Sequence, residues 1–169
     1  MKPARPLIVT VIAAVALAAA AMAWRAAAHS EPAPAVSYTL LDGRKGSTAS
    51  LRGKVLLVNF WATSCTACVA EMPQLLATHN RFKDRGYDTL AVAMSYDPPA
   101  LVARFAESRQ LPFGVAIDNT GEIAKRFGDV HLTPTTFLID KRGNIVKRYV
   151  GAPDFAALQQ LIDKLLADA

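Results

Sequence analysis

Hydrophobic and polar positions divide this chain into two regimes. From Leu7 to Trp24 it is apolar and carries no charge, whereas beyond about residue 36 short apolar runs alternate with amphipathic stretches. "VSYTLLDGRKGSTASLRGK" reads as a short strand, a turn at Asp42-Gly43 and a return. "KVLLVNFWA" is a continuous apolar run of strand length, the pattern of a strand covered on both faces. Val69, Met72, Leu75, Leu76 and Phe82 then recur at helical spacing until Gly86, with Pro73 inside the pattern as an expected kink. "YDTLAVAMSY" is a second buried strand. "DPPALVARFAESRQ" is a helix with Asp97 as its acidic N-cap candidate and a proline in its first turn. "FGVAID" is a short strand, and "NTGEIAKRFG" a helix closed by Gly128. "TTFLIDKRGNIVKRYVG" is a hairpin turning at Arg142-Gly143-Asn144. "PDFAALQQLIDKLLADA" is a last helix, apolar at positions 155, 158, 161, 162 and 165.

The order is therefore hairpin, β, α, β, α, β, α, β, β, α. Strands that alternate with helices are parallel and joined by right-handed crossovers. The closing hairpin adds an antiparallel edge. The fold class is α/β, a mixed central sheet with helices on both faces. Residues 36–169 suffice to bury a core of their own. Residues 29–35, "HSEPAPA", form a polar, Pro-rich linker.

The first 28 residues have a targeting pattern. Lys2 and Arg5 precede the uncharged stretch, and Ala26-Ala27-Ala28 follows as a small-residue cleavage site. The stretch is also near the lower length limit for spanning a bilayer. A cleaved signal peptide and an uncleaved membrane anchor both fit, and both place the remainder outside the cytoplasm, with Lys2 and Arg5 inside. Charge changes the picture little. The net charge of +5 includes Lys2, Arg5 and Arg25; taking those three from the 19 Lys and Arg leaves 16 basic against 14 acidic residues. No basic stripe interleaved with aromatics is present, so nucleic acid is a poor partner.

The chemistry is carried by "VNFWATSCTACVAEMP", which holds the only two cysteines, Cys65 and Cys68. A bridge between residues three apart closes a very short loop and gains little as a staple, because the entropic effect grows with loop length. A structural zinc site needs four ligands, and His29, His79 and His131 show no paired spacing. No metal and no cofactor are expected. Position argues for redox work. Cys65 falls where strand gives way to helix, and free N–H groups and the helix dipole there favour a thiolate. Cys68, one turn on, can resolve a mixed disulfide. A C-x-x-C beside a βαβ pattern reads as a thioredoxin-like motif.

On "NFWATSCTACVAEMP", on "TPTTFLID" and on the extra helix and strand at about 97–117, the soluble segment resembles the membrane-tethered TlpA/ResA-like branch of the thioredoxin superfamily. The resemblance covers essentially all of residues 36–169. It implies a thioredoxin-like fold with an N-terminal β-hairpin and a central αβ insertion, and thiol-disulfide oxidoreductase activity. By the same resemblance Cys65 and Cys68 form the redox-active disulfide, and Pro73 matches a kinking proline. Pro134, after Thr133, matches the cis-proline that faces the cysteines. Glu71 matches a proton-handling glutamate, so Cys65, Cys68, Glu71 and Pro134 are the implied catalytic set. Trp61, Ser64 and Thr133 are the expected client contacts. Two positions depart from the pattern: Ser64 stands where Trp is usual before the first cysteine, and Asn59 where thioredoxin has a buried aspartate. A plainer reading makes Glu71 a solvated helix charge and Trp61 simple packing.

No Lys, Arg or His lies between Asn59 and Met72, so only the helix terminus stabilises a thiolate. That favours a protein-disulfide reductase over a DsbA-type oxidase. By resemblance its electrons come from a membrane thiol transporter of the DsbD or CcdA type, and its clients are apocytochrome c or copper-site assembly proteins. Alternatives are a peroxiredoxin-like antioxidant enzyme, whose P-x-x-x-T-x-x-C pattern is not matched, and a Sco-type copper chaperone, whose C-x-x-x-C is one residue longer.

Overall fold

The computed structural model describes residues 31–168 together with residues 12, 14, 15 and 17. The chain divides into two compact units, Met1–Glu31 and Pro32–Ala169. In the first, residues 12, 14, 15 and 17 are helical, with Ile12, Val15 and Leu17 exposed, and Glu31 is in a strand. The rest of the expected leader lies outside the described residues. Among the described residues no helix is long and apolar enough to cross a membrane.

The larger unit is built on strand β4 (Val55–Trp61), which is buried along its whole length, as its apolar run requires. Around it lie β5 (Tyr87–Ala93), β6 (Gly114–Ile117), β7 (Thr135–Ile139), β8 (Asn144–Val150) and the short β1 (Glu31–Pro32). The sheet order is β1-β8-β7-β4-β5-β6. β4, β5 and β6 are mutually parallel, and β7 and β8 are antiparallel additions. Strands β2 (Ser37–Thr39) and β3 (Lys45–Ser47) form the separate N-terminal hairpin. Leu40, at its tip, bridges Ala116 of β6, and the Leu41 N–H donates to the Val115 carbonyl at 2.9 Å.

Alternate residues of β4 serve two cores. Val55, Leu57 and Trp61 pack with α1 (Thr66–Phe82), α2 (Pro99–Ser108) and α4 (Phe155–Ala167). Leu56, Val58 and Phe60 pack with α3 (Glu122–Arg126) and the hairpin side. Helices thus cover both faces, as the pattern predicts. Pro73 lies inside α1, which runs through it. Gly86 ends the 3-10 turn after α1 in the left-handed region, φ +88°, which glycine adopts without cost.

Two local expectations change. β1 falls inside the stretch read as linker. The N-cap of α2 is Pro98, not Asp97; the Asp97 carboxylate is turned away from its own helix and toward the loop after β4.

Candidate active site

β4 ends at Trp61, and four residues later Cys65 caps α1. Its backbone is extended (φ −88°, ψ 104°), and its Sγ accepts the Cys68 N–H at 3.1 Å. A sulfur occupies the place where a Ser or Asp oxygen would ordinarily satisfy a free helix-end donor. Cys65 and Cys68 are joined as a disulfide with Cα atoms 5.2 Å apart. Cys65 is half-buried, whereas Cys68 is fully buried in the core beside Trp61 and Met72. The two sulfurs are therefore unequal: only Cys65 can meet a macromolecule.

Glu71 lies one turn beyond Cys68 on the same helix, and only 4 % of it is exposed. The reading of Glu71 as a solvated charge is thus set aside. Its Oε1 accepts from the Asn59 amide at 3.0 Å, and the same amide donates to Thr136 Oγ1 at 2.9 Å. Asn59 and Thr136 face each other across the β4–β7 register, so the sheet itself assembles this triad. Glu71 Oε2 and Asn59 Oδ1 are buried without a partner. Burial pushes the Glu71 carboxyl up to about 7, outweighing the hydrogen bond from Asn59 that pulls it down. A carboxyl so placed can hold or release a proton at neutral pH, deep in the site.

The Thr133-Pro134 bond is cis, and Pro134 is buried. Because Phe60 pairs with Thr135, the antiparallel register puts Pro134 opposite Trp61, at the end of β4 that leads to Cys65. Thr133 is half-buried and Ser64 exposed, so both are open to a client. Trp61 is not. It is 0 % exposed and packs on Phe105 with ring centres 5.1 Å apart. The expectation of direct client contact is corrected for Trp61: it supports the cysteines from behind. Around Thr133 stand two exposed apolar side chains that sequence reasoning missed: Tyr96, whose hydroxyl lies 3.4 Å from Thr133 Oγ1, and Leu132, its chain neighbour. Only their tertiary position marks them.

The Redoxin family model matches residues 28–162 of the chain. The thiol-disulfide oxidoreductase ResA of Bacillus thuringiensis subsp. konkukian is 34% identical over 133 residues, which are 79% of this chain and 76% of that protein. ResA of Halalkalibacterium halodurans is 30% identical over 137 residues, 80% and 77% of the two chains. Among solved structures, a protein of Neisseria meningitidis assigned as a thioredoxin superposes with a TM-score of 0.76 at 42% identity, covering 83% of this chain and 93% of that one. A thiol:disulfide interchange protein of Chlorobium tepidum TLS superposes with a TM-score of 0.75 at 28% identity, covering 82% and 98%.

Proposed function

Since the chain belongs to the Redoxin family and is a ResA-like thiol-disulfide oxidoreductase of thioredoxin fold, we propose that it acts as a reductase of protein disulfides outside the cytoplasm. The observation that carries this reading is the inequality of the two sulfurs. Cys65 is reachable at a helix N-terminus, and Cys68 is sealed behind it next to a buried carboxyl.

In the reduced enzyme Cys65 is the nucleophile. Its thiolate attacks one sulfur of a client disulfide, forming a Cys65–client bond, and the other client sulfur leaves as a thiolate that takes a proton. Cys68 then loses its proton, with Glu71 as the acceptor, and attacks Cys65 Sγ. The second client sulfur leaves, and the Cys65–Cys68 disulfide remains. Two electrons have passed from the pair to the client. Pro134 and Thr133 border the cleft where the client chain lies, and Ser64 meets it from the other side. A membrane thiol transporter of the DsbD or CcdA type restores the dithiol, because an oxidising compartment does not. Apocytochrome c and copper-site assembly proteins are the client classes. The leader, as signal or anchor, delivers the domain outside the inner membrane.

Trapping tests the assignment. Cys68→Ser should accumulate mixed disulfides through Cys65, and Cys65→Ser should accumulate none. The opposite pattern would reverse the two roles, and capture by neither would end the reductase reading.

A further inference from the structure

The segment between β5 and α2 is a short, stiff bracket. The Met94 N–H donates to the Trp61 carbonyl at 3.0 Å, extending the β4–β5 ladder, and the Asp97 N–H closes a turn on the Met94 carbonyl at 3.0 Å. Pro98 and Pro99 follow, and each fixes its own backbone φ. Two adjacent side chains leave this bracket in different directions.

The first is Asp97, 2 % exposed. Its Oδ2 accepts the Thr63 N–H at 2.6 Å, and its Oδ1 accepts the Thr63 hydroxyl at 2.5 Å. Among the described residues no salt bridge reaches Asp97, so these two donors are what the buried carboxylate has. Charge-assisted bonds of this kind are short and strong. Thr63 lies two residues before Cys65. The second side chain is Tyr96, 59 % exposed, whose hydroxyl lies 3.4 Å from Thr133 Oγ1. That is long for a hydroxyl pair, so this arm is the weaker. Thr133 precedes the cis proline. The bracket thus ties the loop that carries the nucleophile to the loop that faces it, across 70 residues of sequence.

We propose that Asp97 and Tyr96 are positioning residues that strap the Cys65 loop to the Thr133-Pro134 loop and so set the width of the cleft in which a protein disulfide is attacked. The inference rests on the reading of Cys65 as the nucleophile for protein clients. An extended client chain must fit between the two loops with its sulfur in line with Cys65, and small misplacements of reacting atoms are costly in rate. A small disulfide has no chain to seat and does not sense the cleft's width. Leu132, exposed and adjacent to Thr133 in the chain, offers an apolar neighbour to a client residue beside its cysteine.

The test compares two electron acceptors in single-turnover reactions of the pre-reduced protein: insulin, a protein disulfide, and hydroxyethyl disulfide, a small one. In Asp97→Asn an amide donor replaces one acceptor opposite a Thr63 donor. The insulin rate should fall about tenfold, with less than about a twofold change for hydroxyethyl disulfide. Tyr96→Phe should lower the insulin rate about twofold, again with little change for the small disulfide. Equal losses with both acceptors, or no loss with insulin in either variant, overturn the strap. Should Asp97→Asn fail to fold, the ratio for Tyr96→Phe, which changes only an exposed hydroxyl, decides alone. A wild-type protein that reduces hydroxyethyl disulfide but not insulin refutes the reductase reading instead. The same ratio is then measured for oxidation of reduced insulin against a small thiol, since one cleft serves both directions.

Discussion

Glu71 is the residue whose environment departs furthest from its water reference among the groups of the site. Its carboxyl is raised from 4.5 to about 7, first by burial and against the bond from Asn59. A carboxyl raised on folding favours the fold while protonated; that contribution is complete below about 4.5 and is lost as pH rises through about 7. With allowance for solvent screening, the loss is on the order of 2 kcal/mol. Denaturant titrations of the oxidised protein should therefore show a decline between about pH 4.5 and 7, the span set by the two pKa values, that Glu71→Gln removes. His79 works in the other sense. Burial holds its ring below the ordinary imidazole range, so acidification costs the fold stability there. The difference between wild type and Glu71→Gln is thus the quantity to follow, and an unchanged slope would mean Glu71 is ionised throughout. At this scale sequence spacing was most informative for Cys65 and Cys68, at the start of one helix, whereas Glu71 was marked only by the family resemblance. The Glu71–Asn59–Thr136 triad was not legible, because Thr136 enters through a strand pairing 77 residues away from Asn59. Trp61 showed the reverse difficulty: an aromatic next to a motif has the same letter whether it faces a client or the core.

Elements were legible wherever burial repeats at a fixed period. The unbroken apolar run of β4 and the spacing of Met72, Leu75 and Phe82 on α1 both correspond to buried residues. Helix ends were harder, since several local rules compete there. Asp97-Pro98-Pro99 has the order of an acidic cap followed by a first-turn proline, yet the carboxylate serves Thr63, a partner no local rule contains. Asp154 obeys the rule. Its Oδ1 accepts the N–H groups of Ala156 and Ala157 at 2.9 and 3.1 Å at the start of α4. Asp154→Ala should cost about 1 kcal/mol in urea titrations. Leu158 and Ile162 of α4 share the core that holds Cys68, but Asp154 is exposed at the helix start and only its cap is lost, so exchange rates should stay at the wild-type level. A loss of more than about 2 kcal/mol would show that the carboxylate does more than cap.

Taken whole, the domain presents its redox pair on a weakly electropositive ledge. One backbone N–H reaches Cys65 Sγ, and the nearest titratable side chain along α1 is a buried acid. A thiolate so sparsely stabilised leaves the disulfide form comparatively favourable. Equilibration against glutathione should place the potential at roughly −220 to −280 mV, near thioredoxin rather than DsbA at about −120 mV. A value above about −160 mV would belong to an oxidant and remove the reductase reading. The sheet carries a further consequence at its β6 border. An open strand edge offers a row of unpaired amide and carbonyl groups to any other chain, and it is a common starting point for aggregation. Here the tip of the N-terminal hairpin lies over that border, with Leu40 bridging Ala116 and the Leu41 amide bound to Val115. The hairpin thus acts as a guard against self-association. Leu41→Pro deletes the guarding amide without touching the cysteines, and light scattering should then show oligomers that grow with protein concentration and form equally with the pair oxidised or reduced. A variant that stays monomeric at every concentration would mean that the border is protected by something other than this latch.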